Sequence, residues 1–308
     1  MVTLAALDTM SDMELFTAVD QPDVAPKPAA TIMVLRQGPQ APEVLMMRRH
    51  ANSGVLGGAY VFPGGKVDAA DGQADAQTLG QPAEALAQAL DEPLDSEVSA
   101  NSLFCAAMRE TLEECGLLYV NGAQAADVQA AHAQLAAGQS WLEVVRGHGW
   151  VLQSQALVPW SRWITPKASL MMNKRFDTRF FIAALPEGQI PQHDGHEATA
   201  LEWLSAREGL ARYDRGEIDL APPQIMSLVQ LGGFDTVDAI LAFARSQPVG
   251  LIQPHHFMED GVRVLCYPGD PEHEVKQSVW TGPTRVYHRN ARFETKAGSV
   301  MALLDGPY

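Results

Sequence analysis

Positive charge is missing from the start of this chain. Residues 1–26 hold no Lys or Arg and five acidic residues, so the basic segment that opens a secretory signal is lacking. No apolar run approaches the roughly 18 residues that a membrane-spanning helix needs. The final LLDGPY carries no peroxisomal address. These absences point to a cytoplasmic protein without a membrane segment. Cysteine is scarce too, and Cys105, Cys115 and Cys266 form no metal-ligand spacing. Cys105 and Cys115 lie on one expected helix, separated by about 15 Å of rise and too far apart to bridge. A reducing compartment fits that usage. Basic residues number 22 against 37 acidic ones, a net charge of −15, which speaks against nucleic acid as a partner.

Against this sparse background, carboxylates are crowded at one place. Residues 106–118 read AAMRETLEECGLL, with Glu110, Glu113 and Glu114 beside Arg109. On a helix, positions three and four apart are neighbours, so Glu110 faces both other glutamates. Like charges at that spacing cost about 0.2–0.5 kcal/mol per pair. A solvated helix with Arg109 paired to Glu113 tolerates that cost, whereas a helix that binds a hard cation through carboxylate oxygens makes use of it. Upstream, FPGGKVDAAD (62–71) places two glycines after the β-like AYVF, where a backbone can approach a partner closely.

Together the two stretches resemble the Nudix box: Gly, five residues, Glu, seven residues, then Arg-Glu-U-x-Glu-Glu-x-Gly-U, with U bulky and apolar. The box glycine falls on Gly65, and Asp71 stands where the family has Glu. The second half falls on Arg109, Glu110, Glu113, Glu114, Gly116 and Leu117. Thr111 occupies an apolar position of the pattern. Between Asp71 and Arg109 lie 37 residues where the pattern has seven. A box split in this way, after a GG-x-x-D-x-A-D run, resembles the branch of peroxisomal acyl-CoA diphosphatases. WITP (163–166), KRFDTRFF (174–181) and EWLS (202–205) echo it further.

The resemblance implies a Nudix-type α/β/α sandwich with a mixed sheet, of the α+β class, and a Mg²⁺- or Mn²⁺-dependent diphosphatase. It implies metal ligation by Glu110, Glu113, Glu114 and the Gly64 carbonyl, with Arg109 holding a glutamate in place. Asp68 and Asp71 either join the metal network or order the loop. Glu110 and Glu197 are alternative general bases, and the carboxylates around one metal titrate as a coupled set. Substrate contacts are expected from Arg49, Gly65, Lys66 and Arg179. The CoA-cleaving branch carries a further motif ahead of its box. Arg49, Gly58 and FPGG fit its frame, but His50 and Gly54 replace a small and a basic residue, so the basic contact to a CoA phosphate falls to neighbours such as Arg48, Lys174 and Arg175. The implied reaction is cleavage of CoA or acyl-CoA to 3′,5′-ADP and a phosphopantetheine. ADP-ribose or a dinucleotide is the alternative substrate. A non-catalytic Nudix-fold sensor is the alternative of another class, and three mutually repelling carboxylates argue against it.

Periodicity and turn residues supply the rest of the layout. Residues 1–28 read as a mobile lead-in, 29–248 as the Nudix domain with an insert over about 72–100, and 249–308 as an extension. TIMVLRQ and EVLMMRR read as a hairpin. Ala-rich residues 72–98 read as a short surface helix, starting near Pro82. The box helix starts at Ser99 or Asn101, either able to cap, and stops at Gly116. Strands are expected at 156–165, 178–185 and 198–204, and helices after Ser205, from Pro222 and over about 235–246. In the extension, VRVLCY and TRVYHRN are strand-like, while His255, His256 and His288 read as surface residues. Two strands are marginal alone, and the apolar VMALL (300–304) needs cover, so the extension is expected to pack on the core or on a second subunit, most simply as a homodimer contact.

Overall fold

The computed structural model describes residues 25–51, 53, 56–166, 175–193 and 198–305. Strand β1 (Lys27–Gln37) begins two residues before the expected domain start. Its side chains alternate between two apolar layers: Ala30, Ile32 and Val34 enter one, Met33 and Leu35 the other. A tight turn, in which Gly38 N–H donates to Ala41 O at 3.1 Å, returns the chain as antiparallel β2 (Pro42–Arg49). Then follow β3 (Tyr60–Val61), β4 (Gly64–Lys66), β5 (Val158–Ile164), β6 (Phe176–Ala184), β7 (Ala198–Ser205) and β8 (Gly250–Ile252). The order is β3-β2-β1-β6-β5-β8, with β4 also on β1 and β7 also on β2. β1–β6 and β5–β8 run parallel and the other pairs antiparallel, so the sheet is mixed.

One face of this sheet carries helices α1 (Ala76–Leu79), α2 (Ala83–Leu90), α3 (Ala100–Cys115), α4 (Ala125–Ala136) and α5 (Trp141–Gly147). The other carries α6 (Ala206–Asp214), α7 (Pro222–Leu231) and α8 (Val237–Ser246). The chain is therefore an α/β/α sandwich. Among the described residues no helix is long and apolar enough to cross a membrane. Helix α3 is the box helix. Ser99 caps it through a hydrogen bond from Ser102 N–H at 3.2 Å, and Asn101 instead donates to Ala74 O at 2.8 Å. Gly116, at φ 63°, ends it in the left-handed region.

The insert is not the surface decoration that its composition suggests. Leu79, Leu86 and Leu90 are buried in one cluster with Leu103 and Phe104 of α3. Leu86 and Leu90 are four apart on α2, so a single turn repeat places both on its inner edge even though the run is otherwise small and polar.

The extension also packs on its own chain. β8 completes an edge of the main sheet, and β9 (His255–Glu259), β10 (Val262–Cys266), β11 (Arg285–Arg289) and β12 (Arg292–Glu294) form a second, antiparallel sheet. Tyr267, Val286, Phe293, Val300 and Leu303 belong to the same core as α6, α7 and α8. Phe293 N–H donates to Tyr213 Oη at 2.7 Å, and Val300 N–H to Asp214 Oδ1 at 3.0 Å, just ahead of α9 (Ala302–Asp305). The apolar run that argued for a partner subunit is thus covered within the chain.

Candidate active site

The two halves of the motif meet. β3 leads through Phe62 and Pro63 into Gly64, whose φ of 153° and close packing exclude a side chain: a Cβ there would overlap Ala30 O and the Thr31 hydroxyl. A Cβ at Gly65 would overlap the Glu110 carboxylate. Gly64 N–H donates to Glu114 Oε2 at 2.7 Å, across 50 residues of sequence. Bond lengths within one residue then keep the Gly64 carbonyl oxygen within about 6.5 Å of that carboxylate.

Arg109 ties the halves a second time. Its Nε and Nη2 donate to Asp71 Oδ1 and Oδ2 at 3.0 and 2.9 Å, a two-pronged pair. Nη2 also donates to Lys66 O at 2.9 Å, and Nη1 to Glu110 Oε1 at 2.9 Å and Glu113 Oε2 at 3.0 Å. Arg109 is 7% exposed and Asp71 2%, so this network is buried. Burial opposes the guanidinium's charge, yet Asp71, Glu110 and Glu113 hold its pKa above the ordinary arginine value. The shorter Asp71 thus serves as an arginine clamp in the loop. Thr111 is accommodated as well: it is fully buried, and its hydroxyl donates to Ala107 O, one turn back, at 2.7 Å.

The electrostatics are lopsided. Asp71, Glu110 and Glu113 contact Arg109 directly and Asp68 lies 3.8 Å from its Nη2, so four carboxylates surround one guanidinium, while Glu114, next on α3, takes the Gly64 amide. Burial lifts the Glu113 carboxyl above the usual range, against the pull of Arg109. Among the described residues no three ligating side chains converge on one point: Arg109 draws Glu110 and Glu113 to one side, and the Gly64 amide takes Glu114. The donor set still suits a hard divalent cation. It consists of carboxylate oxygens along one helix edge, facing a glycine turn whose bare backbone leaves room beside Glu110.

Comparison with known proteins agrees with that geometry. The model of the NUDT19 Nudix domain matches residues 81–231. Acyl-coenzyme A diphosphatase NUDT19 of Gallus gallus is 29% identical over 296 residues, covering 79% of this chain and 77% of that protein. The Xenopus laevis protein of the same name is 28% identical over 237 residues, with 65% of this chain and 62% of its own length covered. A crystal structure of a Nudix hydrolase from Alicyclobacillus acidocaldarius superposes with a TM-score of 0.55 at 27% identity, covering 74% of this chain and 99% of its own. In box, fold and sequence the chain is similar to the Nudix hydrolases.

Within the Nudix box, Gly64, Gly65, the Lys66 backbone, Arg109, Glu110, Glu113 and Glu114 are brought together, while the Lys66 side chain points into solvent. Arg49 is not brought to the glutamates. It pairs with Ala59, five residues before Gly64, and its Nε is buried without a hydrogen-bond partner among the described residues. Across the sheet it faces Ala198. Glu197, along with Gly54 and Lys174, lies outside the described residues. Just before that stretch, Gln192 N–H donates to Cys115 O at 2.8 Å, at the end of the box helix.

Arg179 differs most from expectation. Only 3% exposed, it binds Glu92 through Nε at 2.7 Å and Asp177 through Nη1 at 2.8 Å. Arg162 holds the same Asp177 with two hydrogen bonds, at 2.9 and 2.7 Å, and reaches Glu92 at 3.8 Å. Two arginines and two carboxylates cancel, which leaves Arg179 no free charge to offer a substrate phosphate. Asp177 and Arg179 alternate on one face of β6, so a shared network was readable from their spacing; Glu92, 87 residues away, was not.

Proposed function

We propose that this Nudix hydrolase cleaves the diphosphate bond of CoA or acyl-CoA, giving 3′,5′-ADP and (acyl-)4′-phosphopantetheine. The observation that carries the reading is the Gly64–Glu114 contact, because it rejoins an interrupted box into one site. Its relatives' names supply the substrate class. In this reading Glu110, Glu113, Glu114 and the Gly64 carbonyl hold Mg²⁺ or Mn²⁺. Such a cation offsets the charge that grows on the bridging oxygen and lowers the pKa of a nearby water. Arg109 keeps Glu110 and Glu113 on the metal edge of α3 and locks that helix to the loop through Asp71. Either Glu110 or Glu197 accepts the proton of the attacking water. Gly65 lets the diphosphate approach the backbone, and Lys66 and Arg49 meet its outer phosphate oxygens and the remaining substrate.

Mass analysis of products tests this with a panel of free CoA, CoA thioesters, NADH and ADP-ribose, with each metal. Release of 3′,5′-ADP from the CoA compounds is the expected result. Cleavage of NADH or ADP-ribose alone would move the assignment to another nucleotide diphosphate. Binding without any cleavage would leave a sensor.

A further inference from the structure

Three steps of strand pairing connect the box to the balanced charge cluster. Gly65 pairs with Ala30, Ala30 with Arg179, and Arg179 with Arg162, so the four residues form one rung across β4, β1, β6 and β5. Neighbouring strands are about 4.8 Å apart, which puts the Arg179 backbone about 10 Å from Gly65. Residues at paired positions of a sheet share a face, and Ala30 belongs to the layer under α3. Arg179 therefore lies on the box-helix side, in the same layer as the glutamates.

Glu92 reaches that rung from the insert. Asp91 ends α2 with a left-handed φ of 55°, and its N–H bonds back to Ala87 O and Gln88 O. The reversal turns the next side chain inward: Glu92 N–H bonds to Ala87 O at 3.0 Å, and its carboxylate, 8% exposed, lies against Arg179. On the inner edge of α2, Leu86 and Leu90 join Leu103 and Phe104 of the box helix in one apolar cluster. One short helix thus touches both parts that must stay in register. Its end is pinned to the sheet rung that contains Gly65, and its apolar edge supports the helix that carries Glu110 and Glu114.

We propose that Glu92 is a positioning residue, which uses the insert to hold α3 at the distance from the Gly64–Gly65 turn that the metal ligands need. The proposal takes its metal ligands from the reading above, and only its catalytic half also depends on the diphosphatase substrate. It also gives the insert over about 72–100 a role, which is to wedge the two halves of the box in place.

The test uses the full-length protein with Glu92→Ala and Glu92→Gln, well below the melting temperature of each. Mn²⁺ affinity is read by electron paramagnetic resonance, kcat and KM with CoA, and Tm by calorimetry. Glu92→Ala is expected to weaken Mn²⁺ about tenfold and to lower kcat by a similar factor, with KM for CoA at saturating metal within about twofold, the range seen when a group supporting metal ligands is lost. Glu92→Gln keeps the shape and an acceptor for Arg179, so it should recover most of both losses. A lower Tm with unchanged Mn²⁺ affinity and kcat would reduce Glu92 to a stability residue and overturn the proposal. A raised KM with intact kcat would overturn it too, by assigning Glu92 to substrate contact. If Glu92→Ala does not fold, Glu92→Asp decides: its carboxylate is one methylene too short for the 2.7 Å contact with Arg179, so positioning predicts weakened Mn²⁺ binding and kcat, and unaltered values in a protein of lowered Tm refute it. Weakened Mn²⁺ binding in a chain that hydrolyses no CoA compound would keep the positioning role and discard the substrate reading.

Discussion

Two buried charge clusters lie on the same side of the same sheet, and they are built to opposite rules. Around Arg162 and Arg179, two guanidiniums meet Glu92 and Asp177, and the charges cancel. Around Arg109, Asp71, Glu110 and Glu113 compete for one guanidinium with Asp68 3.8 Å away, and Glu114 follows next on α3. Desolvating charge costs several kcal/mol per ion in effective terms, so a protein that needs only stability pairs what it buries. The first cluster obeys that. The second carries more carboxylates than its arginine can neutralise, and that surplus is what the proposed cation would offset.

The largest expected effect comes from removing one of the surplus carboxylates. Glu114→Gln keeps the shape and the acceptor for Gly64 N–H but takes away an anionic ligand. Turnover should fall by about a hundredfold or more, equal to roughly 3 kcal/mol of barrier. The metal-free protein should melt no earlier than wild type, since one like-charge repulsion has gone. Unchanged turnover at saturating Mg²⁺ and Mn²⁺ would show that Glu114 does not ligate the working metal.

The balanced cluster should answer the other way. Asp177→Asn leaves two arginines sharing Glu92, and breaking a buried pair from one side costs about 3–5 kcal/mol. Arg162 keeps 31% of its side chain exposed, so the low end, about 3 kcal/mol, is the expectation for urea unfolding. A loss below about 0.5 kcal/mol would place this network with ordinary surface pairs and dissolve the contrast.

Much of this was legible in the sequence, and the illegible part has a physical cause. That Gly65, Arg109, Glu110 and Glu114 share one place was legible because it depends on local spacing, either along a helix turn or in a tight loop. The departures were equally visible, but not their resolution: Asp71 proved to be a two-pronged partner for Arg109, and Thr111 satisfied its hydroxyl on its own helix. Arg179 read as a substrate contact because nothing near it in sequence reveals Glu92. That pairing depends on strand register and on where a helix 87 residues earlier happens to end. The insert looked like surface because its buried edge is only a few leucines in an Ala-rich run. The extension left packing and dimerisation both open because cover by the chain's own α6 and α7 is a long-range fact.

Metal addition sharpens the comparison at a smaller scale. A ligand that binds only the folded state at about 100 times its Kd adds about 2.7 kcal/mol. For a chain of this size that is a Tm rise of about 4 °C. Wild type and Asp177→Asn should both show the rise, and Glu114→Gln should lose most of it. Equal rises in wild type and Glu114→Gln would place the bound metal elsewhere.

The smallest effect concerns pH and uses a second balanced pair as a control. Asp270, fully buried in the extension, accepts two hydrogen bonds from Arg285 at 2.7 Å each, one from Thr284 Oγ1 at 3.0 Å and one from Glu272 N–H at 2.9 Å. Burial alone would raise its pKa, but Arg285 and the other donors outweigh that and hold the carboxyl below the usual aspartate range. A carboxyl whose folded pKa lies below its unfolded one, about 3.9, contributes fully above that value. The contribution is then lost as pH falls through the folded pKa. Asp270→Asn should therefore be less stable than wild type near neutrality, and urea titrations should show the gap closing only below about pH 4. A gap that stays constant down to about pH 2.5 would mean that packing rather than ionisation makes Asp270 matter. The box cluster would then lose its nearest reference for how a fully paired carboxylate behaves in this protein.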